Sequence, residues 1–440
     1  MRIADTYNGA PVTEIGGRAF YNNRRIVSVV IPEGITTIGY NAFSSSLSKI
    51  YITNLTAWCK ISGLGNMGGK KELYLNYKPI TQLIIPNDVT TIGSSAFSGC
   101  SSLMSVEIPN SVTTIGSSAF YNCKSLTSVK IPNSVTTIGN DAFYGCNLTD
   151  VYMEDLTAWC KVDGLEGLIW FDTSEPGIEK VKSSSKNLYL NDRLVTQLII
   201  PDDVAVINSY AFCGFSSIVS VEIPKGVATI GDHSFAWSSK LINVKMPDRI
   251  KTIEESAFKG CSSLASIEIP NGVTTIGEST FNGCSSLTSI EIPNSITSIV
   301  SGAFANCDKL QYKEYGNAQY LGNKDNEYVA LIGVVNKNYS SYTIHENTKV
   351  IVGGAFRMCG RMTEIIIPQN VISICNEAFY LCGSLKKVYY KGTDSDWKNI
   401  TIEDDNSALL NADRYYYSET QPSDTQNKYW HFVDGEIVEW

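Results

Sequence analysis

Apolar residues recur along this chain with a period of 23 positions, and phenylalanine marks that period most clearly. Four series of phenylalanines keep the step: Phe20 and Phe43; Phe97, Phe120 and Phe143; Phe212, Phe235, Phe258, Phe281 and Phe304; Phe356 and Phe379. A repeat of this length is the signature of a solenoid, in which each repeat forms one coil.

One repeat, LTSVKIPNSVTTIGNDAFYGC at residues 126–146, contains the elements of a coil. Val129 and Ile131 alternate with polar residues, which predicts a short strand with one buried face. The next residue is a proline, which ends the strand because it lacks an N–H and fixes φ. The Thr-Thr-Ile-Gly segment predicts a second extended piece, and Ala-Phe predicts a brief helical turn. Proline holds the same place at Pro32, Pro86, Pro109, Pro132, Pro201, Pro224, Pro247, Pro270, Pro293 and Pro368.

A single coil of this kind cannot fold alone. It buries roughly six to eight apolar side chains at about 1.5–3 kcal/mol each, against about 1–2 kcal/mol of backbone entropy for every residue. Stacking supplies the difference, because each coil covers the next and like residues form ladders about 4.8 Å apart. We therefore expect one continuous stack without a second hydrophobic core before the tail.

Insertions divide the repeats into unequal blocks. Enlarged coils near 51–79 and 152–193 share the plan LTAWCK followed by LYLN, and a third version around Trp397 closes the array. An irregular coil lies near 310–348. The predicted organisation is a solenoid at 1–392 and a C-terminal enlarged coil and cap at 393–440. The first residues supply only the second half of a coil, so we expect the natural protein to continue upstream.

Composition and charge argue against nucleic acids as partners and against insertion into a membrane. The net charge of −9 and the pI near 5.1 argue against nucleic acid, which needs clustered Lys and Arg. No apolar run reaches the roughly 18 residues that span a bilayer, and the opening residues lack the apolar core of a signal peptide. We expect no membrane insertion in this segment.

The sequence offers little to catalysis or to metal binding. His233, His345 and His431 are scattered without a paired metal spacing, and we expect each at the surface. Gly63, Gly65 and Gly68 spell GxGxxG, but the equivalent second insertion lacks it, so it predicts a loop. Neither a GxSxG elbow nor a phosphate-binding GxxxxGK[ST] occurs. We expect no enzyme activity, no catalytic residues, no metal and no cofactor.

Cysteine forms another ladder, three residues after the repeat phenylalanine. Neighbouring coils about 4.8 Å apart hold Cβ atoms too far from one another for unstrained disulfides. We expect buried, reduced thiols that act as small apolar groups, rather than disulfides or metal ligands. The positions are Cys100, Cys123, Cys146, Cys261, Cys284, Cys307, Cys359 and Cys382.

The residue between the two inward positions of each first strand faces solvent and gives the candidate binding face. Charged residues hold this place at Glu107, Lys130, Glu222, Lys245, Glu268 and Glu291, and aromatic residues at Tyr51, Tyr152 and Tyr389. The charges have a second interpretation, as a solvated ladder that sets register between strands. The tyrosines also have a second interpretation, in which each packs against the tryptophan of its own insertion.

The unit LxxVxIPxxVxxIGxxAFxxC resembles the BspA-type leucine-rich repeat of bacterial surface proteins, over roughly residues 11 to 400. The resemblance implies an α/β, right-handed leucine-rich-repeat solenoid of mostly short parallel strands with brief helical turns. It also implies cell-surface display or secretion, and binding of host or neighbouring-cell surface proteins. Ser134 stands where ordinary leucine-rich repeats carry the ladder Asn, so their steep curvature is not carried over.

Three functions follow from this pattern. The first is an adhesin-like protein-binding module, because a long rigid sheet presents many side chains at fixed spacing. The second is an architectural spacer within a larger modular surface protein. The third is a carbohydrate-active solenoid, for which Glu268 and Glu291 form the adjacent carboxylate pair.

Overall fold

The computed structural model describes residues 1–67, 71–169, 171–172, 180–181, 186–423 and 426–440. The chain contains two compact units, one of residues 1–221 with 234–240 and one of residues 222–233 with 241–440. Each unit is a β-solenoid built of coils whose equivalent residues pair 23 positions apart, for example Thr114 with Thr137. The expected division of the chain at residue 392 stays a prediction.

Short strands make up most of the regular structure. From the amino terminus to Glu222 they are β1 Thr6–Tyr7, β2 Ala10–Pro11, β3 Glu14–Ile15, β4 Ser28–Val30, β5 Thr37–Ile38, β6 Lys49–Ile52, β7 Glu72–Leu75, β8 Lys78–Pro79, β9 Gln82–Ile84, β10 Thr91–Ile92, β11 Ser105–Glu107, β12 Thr114–Ile115, β13 Ser128–Lys130, β14 Thr137–Ile138, β15 Asp150–Met153, β16 Phe171–Asp172, β17 Lys180–Val181, β18 Asn187–Leu190, β19 Arg193–Leu194, β20 Gln197–Ile199, β21 Val206–Ile207 and β22 Ser220–Glu222.

The remaining strands are β23 Thr229–Ile230, β24 Asn243–Lys245, β25 Thr252–Ile253, β26 Ser266–Glu268, β27 Thr275–Ile276, β28 Ser289–Glu291, β29 Ser298–Ile299, β30 Lys313–Tyr315, β31 Ala318–Leu321, β32 Ala330–Val334, β33 Ser341–Thr343, β34 Val350–Ile351, β35 Glu364–Ile367, β36 Ser373–Ile374, β37 Lys387–Tyr390, β38 Thr401–Ile402, β39 Asp413–Tyr417, β40 Lys428–Val433 and β41 Glu436–Glu439. The α-helices of the described residues are α1 Leu55–Cys59, α2 Leu156–Trp159, α3 Asp394–Lys398 and α4 Ser407–Asn411, and 3-10 turns cover Leu64–Met67 and Leu165–Leu168.

Each ordinary coil contributes two strands, as the sequence predicts. The first strand is the Ser-Val-Glu type, whose middle residue is buried between two exposed neighbours, as in β11. The second is a Thr-Ile pair after the proline turn, and β12 lies parallel between β10 and β14. In the second unit β27 lies parallel between β25 and β29 in the same way. The period of 23 therefore fixes the register of both ladders.

The core of each unit is a stack of like side chains. In the first unit the ring of Phe120 lies 5.4 Å from that of Phe97 and 5.1 Å from that of Phe143. In the second, the rings of Phe258 and Phe281 are stacked 5.7 Å apart with almost parallel planes. Phe120 is completely buried. A coil thus completes its core only with the coils on either side.

The Ala-Phe segments are hydrogen-bonded turns rather than helix. The reason lies in the backbone, since Ser118 has φ of 55° in the left-handed region, which stops a right-handed helix. The N–H of Phe120 consequently donates to the carbonyl of Ala142 in the next coil, at 2.7 Å, instead of to its own coil. These turns therefore bind coil to coil as the strands do.

The cysteine ladder is confirmed as free, buried thiols at all twelve cysteines. Five of the ladder thiols donate to the carbonyl of a phenylalanine 26 residues earlier; Cys146, for example, donates to Phe120 O at 3.1 Å. Burial raises the pKa of Cys100 and of Cys213 to about 12. The ladder thiols are therefore apolar packing groups, and burial disfavours ionisation of Cys100 and Cys213.

The two enlarged coils share one plan. Each begins with a short helix whose N-cap side chain, Asn54 or Asp155, accepts a backbone N–H of the first turn. The indole N–H of Trp58 donates to Ala96 O, and that of Trp159 to Ala211 O, each at 2.8 Å. The tryptophans thus fasten each enlarged coil to the coil after it.

The second enlarged coil buries a lysine completely. Lys186 is 1% exposed, and its ammonium donates to the carbonyl of Leu168 in the 3-10 turn. Burial lowers the pKa of Lys186 to about 8. A desolvated ammonium opposes folding, so this group makes stability depend on pH.

The second unit contains the irregular coil and the C-terminal region. Strands β30, β31 and β32 form an antiparallel meander, and β32 then joins the parallel ladder beside β34. In the tail, β40 pairs parallel with β39 and antiparallel with β41. Trp430 of β40 is fully buried. The tail therefore leaves the repeat but continues its sheet.

Replacing Phe120 with alanine should reduce the free energy of unfolding by about 3–5 kcal/mol, because a buried ring leaves a cavity between two others. Tyr40→Ala is the control, since Tyr40 is 66% exposed, and should cost about 0.5 kcal/mol or less. Denaturant unfolding followed by circular dichroism measures both, and equal midpoints would contradict the ladder packing.

All twelve cysteines should react with a thiol reagent in denaturant without prior reduction. In the native protein the same reagent should react slowly, because the thiols are buried and mostly un-ionised. Mass spectrometry after alkylation counts the modified residues. Most cysteines found already paired would disprove the packing role.

Replacing Lys186 with methionine should change the pH dependence of stability. Folding lowers the lysine pKa from its ordinary 10.5 to about 8, so the wild type gains stability as pH rises between these values and loses it as pH falls through about 8. The stability of Lys186→Met relative to wild type should therefore fall by about 2 kcal/mol between pH 8 and pH 10. Urea unfolding at each pH measures this, with exposed Lys161→Met as control. A difference independent of pH would contradict the buried-amine assignment.

Candidate functional site

The candidate site in the first unit is the row of side chains on the outer face of the first strands. Hydrogen-bonded register places Val30 beside Tyr51 and Tyr51 beside Tyr74, and it places Lys130 beside Tyr152. The members of this outer row of the first unit are Val30, Tyr51, Tyr74, Ile84, Glu107, Lys130, Tyr152, Tyr189 and Ile199. Glu107 and Lys130 are exposed, as the alternation predicts.

The tyrosines of the enlarged coils stack in pairs along this row. The rings of Tyr51 and Tyr74 are 4.8 Å apart, and those of Tyr152 and Tyr189 are 4.5 Å apart at 14°. Their partners are therefore each other, not the tryptophans of the insertions: Trp58 and Trp159 lie in the core. The interpretation of tyrosine packing on tryptophan is wrong for both pairs.

Sequence reasoning missed the second tyrosine of each pair. Tyr74 and Tyr189 occupy the same place in the two LYLN motifs, and that repetition was the signal that could have found them. It missed Ile84 and Ile199 as well, which hold the outer position of β9 and β20 and are 67% and 58% exposed. The outer row therefore carries more apolar surface than its charges suggest.

Lys130 does not pair with Glu107 along the ladder. Its ammonium lies 2.5 Å from the carboxylate of Glu154, and both side chains are more than a third exposed. The hydrogen bond that Lys130 donates to Glu154 raises the pKa of Lys130. Exposed pairs of this kind contribute about 0–1 kcal/mol, so Glu154 orients Lys130 more than it stabilises the fold.

The second unit carries its own outer row. Lys245 pairs with Glu222 at 2.5 Å, as the alternating charges predict. Glu268 and Glu291 are direct register partners in β26 and β28, and both are exposed. The members of this outer row of the second unit are Glu222, Lys245, Glu268, Glu291, Thr343, Ile366, Tyr389 and Tyr415.

Tyr389 corrects the expected face, because it is not exposed. It is 3% exposed in an aromatic cluster with Tyr415 and Trp430, and its hydroxyl donates to Glu439 at 2.6 Å. Burial and that bond raise the pKa of Tyr389. Lys387 also donates to Glu439 at 2.5 Å. The terminal hairpin β40–β41 therefore covers this end of the outer row.

Catalytic and metal chemistry find little support in the described part of the chain. No group of three or more His, Cys, Asp or Glu side chains that could hold a metal occurs among the described residues. His345 stacks on Tyr328 at 3.6 Å and His431 on Trp440 at 3.9 Å. His233 is 8% exposed, so its expected surface position is wrong. Of the GxGxxG glycines, Gly68 lies outside the described residues.

The described residues include no helix long and apolar enough to cross a membrane.

Most of the chain is similar to a known family of repeats. Residues 6–62, 70–159, 182–311 and 335–405 match the model of the BspA type leucine rich repeat region in six copies. Among solved structures, a leucine rich cell surface protein from Faecalibacterium prausnitzii is 29% identical, covers 70% of this chain and 86% of that chain, and has a TM-score of 0.46.

Two further structures are similar at lower identity. The pneumococcal vaccine antigen PcpA is 19% identical over 95% of this chain and 84% of that chain, with a TM-score of 0.40. A leucine-rich repeat protein from Bacteroides ovatus is 21% identical over 94% of this chain and 91% of that chain, with a TM-score of 0.32. No curated protein matches the chain.

Proposed function

This chain belongs to the BspA-type leucine-rich repeat family, and we propose that it is a non-catalytic, adhesin-like module that binds proteins of host or neighbouring cells. The observation that carries the proposal is the outer row of the first unit, where two stacked tyrosine pairs stand among exposed aliphatic and charged side chains. Aromatic residues with an apolar body and a polar tip are the residues that protein interfaces favour.

Rigidity supports this use of the row. Tyr152 and Tyr189 sit on parallel strands in direct register, and their rings restrict each other. Side chains already ordered in the free protein lose little conformational entropy on binding, so more of the contact energy becomes affinity. Ile199, two residues before the proline turn of the next coil, adds apolar area that a partner could cover.

The charged residues of the two outer rows favour specific binding of a partner over general electrostatic attraction. Lys130 is already paired with Glu154, and Lys245 with Glu222, so both signs are interspersed on the rows. A partner surface must match this mixture locally, whereas a polyanion would need an excess of cations. Affinity should accordingly depend only modestly on salt.

The family supports display at a bacterial cell surface or secretion. Free cysteines are unusual in secreted proteins, which generally form disulfides. Here all twelve are buried, and burial raises the pKa of Cys59, Cys100, Cys160 and Cys213 to about 12. Thiols that are shielded and un-ionised do not exchange readily, which makes this chain compatible with an oxidising exterior.

Catalysis on polysaccharides is the weaker alternative. Glu268 and Glu291 are neighbours on parallel strands, but both are exposed on an open sheet. Glycoside hydrolysis needs one carboxylic acid held protonated by its surroundings, and an exposed carboxylate lacks such surroundings. This contrast supports binding without chemistry.

The test measures binding of the purified chain to immobilised fibronectin, laminin and fibrinogen by surface plasmon resonance. The double variant Tyr152→Ser/Tyr189→Ser, and separately the triple reversal Glu222→Lys/Lys245→Glu/Glu268→Lys, should weaken capture at least about tenfold, or about 1.4 kcal/mol. The matched control is Tyr40→Ser, which removes an exposed tyrosine away from the rows and should leave capture unchanged.

Other outcomes are equally informative. Capture that survives both row variants but falls in Tyr40→Ser would place the site on the turns. Failure of the unmodified chain to bind any of the three proteins would overturn the proposal and favour the rigid spacer. Appearance of reducing ends on incubation with polysaccharides would revive the carbohydrate-active alternative.

A further inference from the structure

The first enlarged coil contains a cavity on its core side, apart from the outer row. Its volume is about 190 Å³, and its floor is formed by buried apolar side chains, among them Trp58, Leu64 and Leu73. Its polar lining consists of one amine and four hydroxyl groups, from Lys71, Ser95, Ser98, Ser118 and Tyr121. A cavity of about 150 Å³ already accepts benzene, so this one has room for a small organic molecule.

Lys71 brings the only charge among the described side chains that line the cavity. None of the described lining residues is a carboxylate, and the neighbouring Glu72 is exposed and accepts from the hydroxyl of Tyr74 at 2.8 Å. Burial lowers the pKa of Lys71 to about 7. Lys71 is half-buried, so its amine is partly desolvated without a described counter-ion, an arrangement that a bound anion would stabilise.

The second enlarged coil provides an internal comparison, because Lys186 occupies the place of Lys71. There the ammonium donates to the carbonyl of Leu168, and the ring of Phe215 packs edge-on to Trp159 at 6.4 Å. In the first coil Cys100 stands in place of Phe215, following the shared Ala-Phe pair at the same distance. Cys100 lines the cavity beside Lys71, whereas the second copy carries a buried aromatic ring at that position.

A second lining position also differs between the copies. Ser95 lines the cavity where the second copy carries Tyr210, and both residues have φ near 60°. Cys100 and Ser95 are therefore smaller than their counterparts in the second copy, whereas Tyr121 stands where that copy carries Ala236. The two copies thus share one backbone plan but line the space beside the lysine with different side chains.

We propose that this cavity binds a small monocarboxylate with an apolar body. The ammonium of Lys71 would meet the carboxylate, the serine hydroxyls would donate to its remaining lone pairs, and the apolar floor would take the hydrocarbon part. The indole N–H of Trp58 is already donated to Ala96 O, so Trp58 offers its ring and not a hydrogen bond. This function goes beyond binding at the outer row and does not depend on it.

Benzoate is the probe, because it joins one carboxylate to a ring of the size that fits. Calorimetric titration should give a dissociation constant in the millimolar range or below for the wild type. Lys71→Met, which keeps the length of the side chain without its charge, should weaken binding at least tenfold. Cys100→Phe, which installs the residue of the second copy and keeps Lys71, should weaken it equally. Exposed Lys60→Met is the matched control and should bind as the wild type does.

Two further measurements test whether the carboxylate contacts Lys71 or whether the ring alone occupies the apolar part of the cavity. Benzyl alcohol, which lacks the carboxylate, should bind at least tenfold more weakly than benzoate. In nuclear magnetic resonance of the protein with isotope-labelled lysine, saturation with benzoate should raise the pKa of Lys71 from its lowered value. Circular dichroism shows whether each variant is folded. If Cys100→Phe does not fold, the comparison of the wild type with Lys71→Met tests the proposal.

Absence of binding to the wild type at about 10 mM benzoate would overturn the proposal. Equal binding to Lys71→Met, or to Cys100→Phe, would overturn it too, because the molecule would then lie elsewhere. Neither result touches the outer row, whose capture of proteins is measured separately.

Discussion

The fold depends on hydrogen bonds that run from coil to coil. The N–H of Phe120 donates to the carbonyl of Ala142, and Thr114 pairs with Thr137, so each coil satisfies many of its backbone groups only through a neighbouring coil. Unpaired backbone groups in a core cost free energy comparable to a lost hydrogen bond. Coils must therefore agree in length and register, and that agreement is why the repeat stays so regular.

Regularity of this kind leaves two places for variation. In ordinary coils such as those of Glu107, Lys130 and Ile84, the outer residue of the first strand is exposed, so it can change at little cost to the core. The enlarged coils are the other place, because each is tied to the next coil by a tryptophan that donates to a carbonyl. The row proposed to bind proteins and the cavity proposed to bind a monocarboxylate lie at these two kinds of position.

At the end of the second unit, the hairpin β40–β41 extends the sheet beyond the repeat strands. An open sheet edge presents unpaired N–H and C=O groups that can recruit another chain. The hairpin β40–β41 pairs with β39, buries Trp430, and brings Glu439 to Lys387 and Tyr389. The hairpin thus moves the edge of this sheet to β41 and removes Tyr389 from the accessible surface, which limits how much of the row can serve binding.

The sequence by itself determined the repeat, the two ladders of strands, the buried phenylalanines and the free thiols. These features depend on residues within one coil and on the period, and periodicity can be read directly. Features that depend on how an insertion folds between two strands, or on which of several nearby side chains an exposed residue reaches, could not be read in this way. The tyrosine pairs join different strands, and the partner of Lys130 is Glu154 rather than Glu107.

Only the tertiary structure shows that one of two equivalent lysines, Lys186, donates a hydrogen bond to a backbone carbonyl. Lys71 and Lys186 stand in the same motif, but the ammonium of Lys186 donates to the carbonyl of Leu168, and the positions 29 residues further along hold Cys100 and Phe215 respectively. Whether a ring or a void lies beside an amine depends on how distant coils pack, and the local pattern around each lysine carries no record of that packing.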